Sequence, residues 1–92
     1  MKQSSKKESS PEDAKIIQQI IAAIKELNED QSVPRNIELK FEKVIKVLED
    51  DNEISIRVDK AQQELDEVAD DSNLQPYTRT QIWSVVSLLE KL

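Results

Sequence analysis

The stretch Pro11-Glu12-Asp13-Ala14-Lys15-Ile16-Ile17-Gln18-Gln19-Ile20-Ile21-Ala22-Ala23-Ile24-Lys25-Glu26-Leu27-Asn28 decides the fold class. Ile16, Ile17, Ile20, Ile21, Ile24 and Leu27 fall on one broad face of a 3.6-residue helix, with Ala22 and Ala23 at its margin. The start is marked by Ser10, placed to cap, and by Pro11 at the first helical position, where its missing N–H costs nothing. Glu12 and Asp13 sit at the positive end of the helix dipole. Asn28, which tolerates a left-handed backbone, offers a stop in a chain without glycine.

Toward the N-terminus the pattern vanishes. Met1 to Ser9 contains only Ser, Lys, Gln and Glu after Met1, too little apolar surface to offset its ordering entropy, and reads as a disordered Ser/Lys tail over residues 1–9. Toward the C-terminus it recurs three times. Ser32 and Pro34 mark a second helix, with Ile37, Phe41, Val44, Ile45 and Leu48 on one face and Leu39 and Val47 on its flanks. Asn52 stands as the cap of a third, whose stripe Ile54, Val58, Ala61, Leu65 and Val68 is narrow and surrounded by polar residues, so this helix is expected to be the most solvated. Pro76 opens a fourth, with Ile82, Val85, Val86, Leu89 and Leu92 as its buried face. Helices are therefore expected near 11–28, 34–49, 53–69 and 76–91, in a single helical domain over 10–92.

Short connections place each helix beside the one before it, so the expected fold is all-α, an up-down four-helix bundle, with a short solenoid-like stack of helices as the alternative. The interior joints Asp30-x-x-Val33, Asp51-x-x-Ile54 and Asp71-x-x-Leu74 recur after 21 and then 20 residues. A degenerate helical repeat gives such spacing, and so does a bundle of equal-length helices with acidic N-terminal turns; base rates favour the second reading.

Composition excludes much chemistry. Without histidine the chain lacks the commonest general base and transition-metal ligand, and without cysteine it has neither disulfides nor thiolate ligands. Absence of glycine removes phosphate-cradling loops and the sharp turn of a calcium-binding EF-hand. Di-metal bundle sites need Glu-x-x-His pairs, which cannot occur here. The clusters Glu49, Asp50, Asp51, Glu53 and Asp66, Glu67, Asp70, Asp71 read as solvated helix ends, because carboxylates on polar stripes lack the burial that separates catalytic pKa values. No enzyme activity, no metal and no cofactor are expected. The net charge of −6 is uneven: the first nine residues carry +2, leaving −8 for the rest, a body that repels a phosphate backbone. No apolar run approaches a membrane span, and the first ten residues lack the apolar core of a signal peptide, so a cytoplasmic location without membrane attachment is expected.

Two short segments are not demanded by the bundle pattern. One is Ser32-Val33-Pro34-Arg35-Asn36-Ile37, where Arg35 works against the helix dipole unless Asp30 or Glu38 compensates. The other is Gln75 to Trp83, which holds Tyr77, Arg79 and Trp83, two of the three aromatics among them. A structural role is the favoured reading, with Trp83 capping the core and Arg79 covering its ring or pairing with an acidic turn. The functional reading makes Arg35, Asn36, Tyr77, Arg79 and Trp83 an interaction surface, since Trp, Tyr and Arg dominate protein interfaces.

The segment Ser32 to Ile37, together with Thr78-Arg79-Thr80-Gln81-Ile82-Trp83 and Ser87-Leu88-Leu89-Glu90, resembles uncharacterised protein family 0147, small archaeal proteins of unknown function. The likeness spans approximately Ile16 to Leu92. It implies an all-helical fold and an archaeal cytoplasm, and it brings no established activity or site residue. The Ser/Lys tail departs from the compact family pattern, and nothing is inferred for Met1 to Ser9.

The function expected on these grounds is a non-catalytic module that binds another protein or its own copy, the wide apolar face of the first helix being one route to a homo-oligomer unless the bundle interior absorbs it. The alternative is an RNA- or ribosome-associated accessory using Lys2, Lys6, Lys7, Arg35 and Arg79 with Tyr77 and Trp83 as stacking groups.

Overall fold

The computed structural model describes residues 11–92. The expected tail over Met1 to Ser9, the capping role of Ser10 and the lysines Lys2, Lys6 and Lys7 lie outside the described residues. Four helices follow in order: α1 Pro11–Asn28, α2 Arg35–Leu48, α3 Ile54–Ala69 and α4 Pro76–Leu89. Among the described residues there is no strand, and the fold is all-α.

Each helix packs against its neighbour in sequence, α2 and α3 most extensively, and α1 also packs against α4. That last contact closes the ring, as a bundle requires and an open stack does not. Directions follow from named contacts. Near the start of α2, Asn36 reaches Asp71 just beyond the end of α3, and further along Lys40 meets Glu67 and Glu64, so the two helices run antiparallel.

The core is one cluster fed by all four helices, with Ile20, Ile24, Ile37, Phe41, Val44, Leu65, Val68, Ile82 and Leu89 fully enclosed. In α1 the broad apolar face is consumed by this interior: Ile17, Ile20, Ile21 and Ile24 are buried, and Ile16 and Leu27 half-buried against the cluster. Val33 and Leu74, the last residues of two joint motifs, are buried too, both at the end of the bundle where Asn36 meets Asp71.

Helix termini depart from the sequence reading in three respects. Asn28 does not turn left-handed, and no described residue has positive φ. Instead α1 unwinds through tightened bonds, with the N–H groups of Glu29 and Asp30 donating to the carbonyls of Glu26 and Leu27. The other helices end on right-handed residues Glu49, Asp70 and Glu90, as a glycine-free chain must if it avoids the Cβ penalty of the left-handed region. Pro34 stands just before α2 rather than within it, since its ψ of 153° is extended. Asn52 does not cap α3: Glu53 takes that position without a side-chain bond, while the Asn52 amide donates to Asp50.

A further correction concerns solvation. The third helix is not the most solvated, because it buries Ala61, Leu65, Val68, Ala69 and also Arg57, five residues of sixteen against four of eighteen in α1. Small alanines let its neighbours approach closely, so a narrow stripe still makes a tight contact.

Candidate functional site

The five residues singled out from sequence separate into three settings. Asn36 and Arg79 belong to a structural knot around the α3–α4 joint. The Asp71 carboxylate accepts from the backbone N–H of Asn73 at 2.8 Å, an Asx turn, and from the Asn36 side-chain amide at 3.2 Å. Arg79 donates from Nε to the carbonyl of Ala69 at 2.9 Å and from Nη2 to that of Asp71 at 3.0 Å. Its guanidinium thus satisfies carbonyls left open where α3 ends, and its charge favours the negative end of that helix. Arg35 has a different setting: its side chain is 82% exposed, and the Glu38 carboxylate lies 4.0 Å away, one turn along α2.

Arg57, which sequence reasoning passed over, repeats the Arg79 arrangement one helix earlier. It is 7% exposed and donates from Nε to the carbonyl of Asn52 at 2.8 Å and from Nη1 to that of Leu48, the last residue of α2, at 3.1 Å. Both arginines are the fourth residue of their helix, and both close the end of the helix before. The legible signal is their separation of 22 residues, close to the period of the acidic joints. Those joints themselves are alike only in the first and third cases, where Asp30 binds the N–H of Ser32 as Asp71 binds that of Asn73, and Val33 and Leu74 are the buried plugs. The Ser32 N–H, followed by its hydroxyl, holds the Asp30 carboxyl below its ordinary value.

Tyr77 and Trp83 make the third setting, the outward face of α4. Tyr77 is 68% and Trp83 49% exposed, so Trp83 lies across the rim of the core rather than over it. Between them on the same exposed arc are Thr80, Ser84 and Ser87. From Thr80 to Leu89 there is no charged residue, in a chain of which 35% is charged. The hydroxyls of Thr80 and Ser84 turn back onto the carbonyls of Pro76 and Thr80, at 3.1 and 3.4 Å, and the Gln81 amide donates to the Tyr77 hydroxyl at 3.3 Å. Polar groups here are thus engaged along the helix itself, leaving methyl, methylene and ring surface outward. Where α4 meets α1, Ala23, Leu27 and the exposed Glu26 line a shallow groove with Gln81, Ser84, Val85 and Leu88.

On the opposite side of the molecule, α2 and α3 are joined by ion pairs. Lys40 lies 2.7 Å from Glu67 and 3.5 Å from Glu64, and Lys43 lies 3.0 Å from Glu64. The Lys43 ammonium holds the Glu64 carboxyl below its ordinary value against the opposing effect of burial, and the hydrogen bond to Glu67 raises Lys40. These are matched pairs that zip two helices. Among the described residues no three carboxylates converge as a metal site would require, and no helix is long and apolar enough to cross a membrane.

A closed ring of four short helices, pinned at its joints by arginine and aspartate and carrying an uncharged, aromatic-flanked outer face on α4, places the chain among small all-α bundle modules. It belongs to the uncharacterised protein family UPF0147, whose family model matches residues 2–92. A UPF0147 protein of Methanocaldococcus jannaschii is 40% identical over 86 residues, 92% of this chain and 90% of the relative. One from Metallosphaera sedula is 41% identical over 81 residues, 87% of this chain and 90% of the relative. Among solved structures, a protein of unknown function matches with a TM-score of 0.81 at 36% identity, over 90% of this chain and 93% of that one. A UPF0147 protein of Thermoplasma acidophilum matches with a TM-score of 0.80 at 28% identity, over 87% and 95%. The archaeal relatives agree with the resemblance carried by the Ser32 and Thr78 segments, and the match extends into the tail that the resemblance left aside.

Proposed function

We propose that this chain is a non-catalytic, cytoplasmic interaction module that binds another protein chain through the outward face of α4. The observation that carries the reading is the half-exposed Trp83 and the exposed Tyr77 flanking a helix face with no charge between Thr80 and Leu89. The exposed surfaces of α2 and α3 are dressed with Lys, Glu and Asp, which keeps Leu39 and Ile56 dispersed, and the uncharged stretch of α1 from Ile16 to Ile24 exposes Gln18, Gln19 and Ala22 but no aromatic ring. Tyr and Trp anchors on a face without charge match an interface centre, which is enriched in aromatic residues and depleted of charged ones.

The RNA- or ribosome-associated reading has less behind it. Arg79 is engaged by two carbonyls, Arg35 is beside Glu38, and the Asp71 carboxylate lies between the two segments, so among the described residues no basic groove accompanies the aromatic rings.

A photo-crosslinking residue in place of Ser84, compared with one in place of the exposed Lys46 on α2, tests the proposal in an archaeal cytoplasm. Protein adducts formed at position 84 and not at 46 are the expected result. Equal or absent adducts at both positions overturn it, and retention of the wild-type chain on bulk RNA at low salt would move the assignment to the alternative.

A further inference from the structure

We infer that the occupant of the α4 face is a second copy of this chain, bound with the two α4 helices antiparallel across a two-fold axis that passes between Trp83 and Ser84. The inference rests on the interaction reading above and names its partner. Its first ground is charge. The folded body carries −8 outside the first nine residues, so two copies repel one another wherever acidic surfaces meet. A two-fold contact sets a surface against itself, and any excess of one charge there opposes its own kind. The outer arc of α4 escapes this constraint, because Tyr77, Thr80, Trp83, Ser84 and Ser87 are all uncharged and all exposed.

Shape is the second ground. Thr80, Ser84 and Ser87 form a low ridge down the middle of the arc, small enough for two helix backbones to approach, with hydroxyls already bonded to their own helix at Thr80 and Ser84. Trp83 rises on one flank and Tyr77 on the other, by their positions 100° per residue around the helix. An antiparallel mate centred between residues 83 and 84 sets Thr80 of one copy opposite Ser87 of the other. In the same register the two Trp83 rings meet on one flank of the interface, where each covers the other from water. Tyr77 of each copy, opposite position 90 in this register, then lies beside Leu88 and the exposed Lys91 at the C-terminal end of the partner's α4. Five exposed side chains on one helix face per copy make an interface no larger than the roughly 1,200 Å² that marks the low end of specific contacts, so the dimer dissociates on dilution.

Trp83 is the sole tryptophan and therefore reports on this face directly. Sedimentation and Trp83 emission are measured together on the full chain from micromolar to millimolar concentration. The expected result is a monomer–dimer equilibrium with emission moving to shorter wavelength in step with the dimer fraction. Ser84→Glu, which sets two carboxylates face to face at the axis, should weaken association by at least about tenfold while leaving helical circular dichroism unchanged. Gln63→Glu, an equal charge on the exposed side of α3, should leave it unaltered. A monomer at every concentration, or a dimer indifferent to Ser84→Glu, overturns the inference; Thr80→Glu serves the same purpose should Ser84→Glu lose helical signal. If the chain is monomeric yet position 84 still crosslinks to another protein, only the choice of partner falls; if neither is seen, the interaction reading falls with it.

Discussion

Replacing Arg57 by alanine leaves the carbonyls of Leu48 and Asn52 without the donors that now reach them, at a position only 7% exposed. The expected loss is about 1–3 kcal/mol of unfolding free energy, read from the midpoint of urea denaturation. Arg57→Lys should recover part of it, since an ammonium keeps the charge at the end of α2 but not the fork that spans two carbonyls. Arg35→Ala, at an 82% exposed side chain, should stay within about 0.5 kcal/mol of the parent. At this scale the sequence was legible where a residue's role depends on its own helix and opaque where it depends on the next. Tyr77 and Trp83 are conspicuous on any helical wheel. Arg57, placed between Ile56 and Val58, has nothing local to distinguish it, because its burial comes from the end of α2 lying alongside.

At the scale of elements, the α2–α3 pair is held by the Lys40, Lys43, Glu64 and Glu67 network as well as by the core. The Glu64 carboxyl is depressed in the folded state, so the stability it lends is present above its ordinary value of 4.5 and is lost as pH falls through the lower folded value. Lys40 is raised, so its contribution is present below its ordinary value of 10.5 and is lost as pH rises through the higher folded value. The Glu64→Gln variant should therefore show a shallower loss of thermal stability in acid than the parent, and added salt should narrow the difference between them at neutral pH. Helix starts were readable because Pro11, Pro34 and Pro76 punctuate them chemically. Helix ends were less so: without glycine the chain stops each helix by tightening its last bonds, and no single residue type announces that. How deeply α3 is buried was also hidden, since alanine at positions 61 and 69 reads as neutral in composition but is decisive in packing.

For the whole molecule, periodicity establishes that four helices each have an apolar side but not which sides meet. A closed ring and an open stack bury the same residues in different company, and the wide apolar arc of α1 fits either a bundle interior or an external partner. The contact between α1 and α4 resolves this by absorbing that arc, which moves the argument for association from α1 to α4.

The same closing contact has a kinetic side. The α1–α2, α2–α3 and α3–α4 contacts each join helices adjacent in sequence, whereas bringing α1 to α4 means closing a loop that contains two whole helices. Loop entropy makes that the late step, so the α2–α3 hairpin should be formed in the folding transition state and the α1–α4 seam should not. Leu65→Ala, in the buried stripe of α3, is then expected to slow folding, and Leu88→Ala, on the seam, to leave folding nearly unchanged and speed unfolding. Chevron plots of the two variants separate these outcomes, and equal effects on both limbs for both variants would rule the order out. The lifetime of the native state would accordingly be governed at the seam beside Ser84, so that anything seated on α4 and reaching over onto α1 would hold the ring shut and lengthen that lifetime without altering how fast the chain folds.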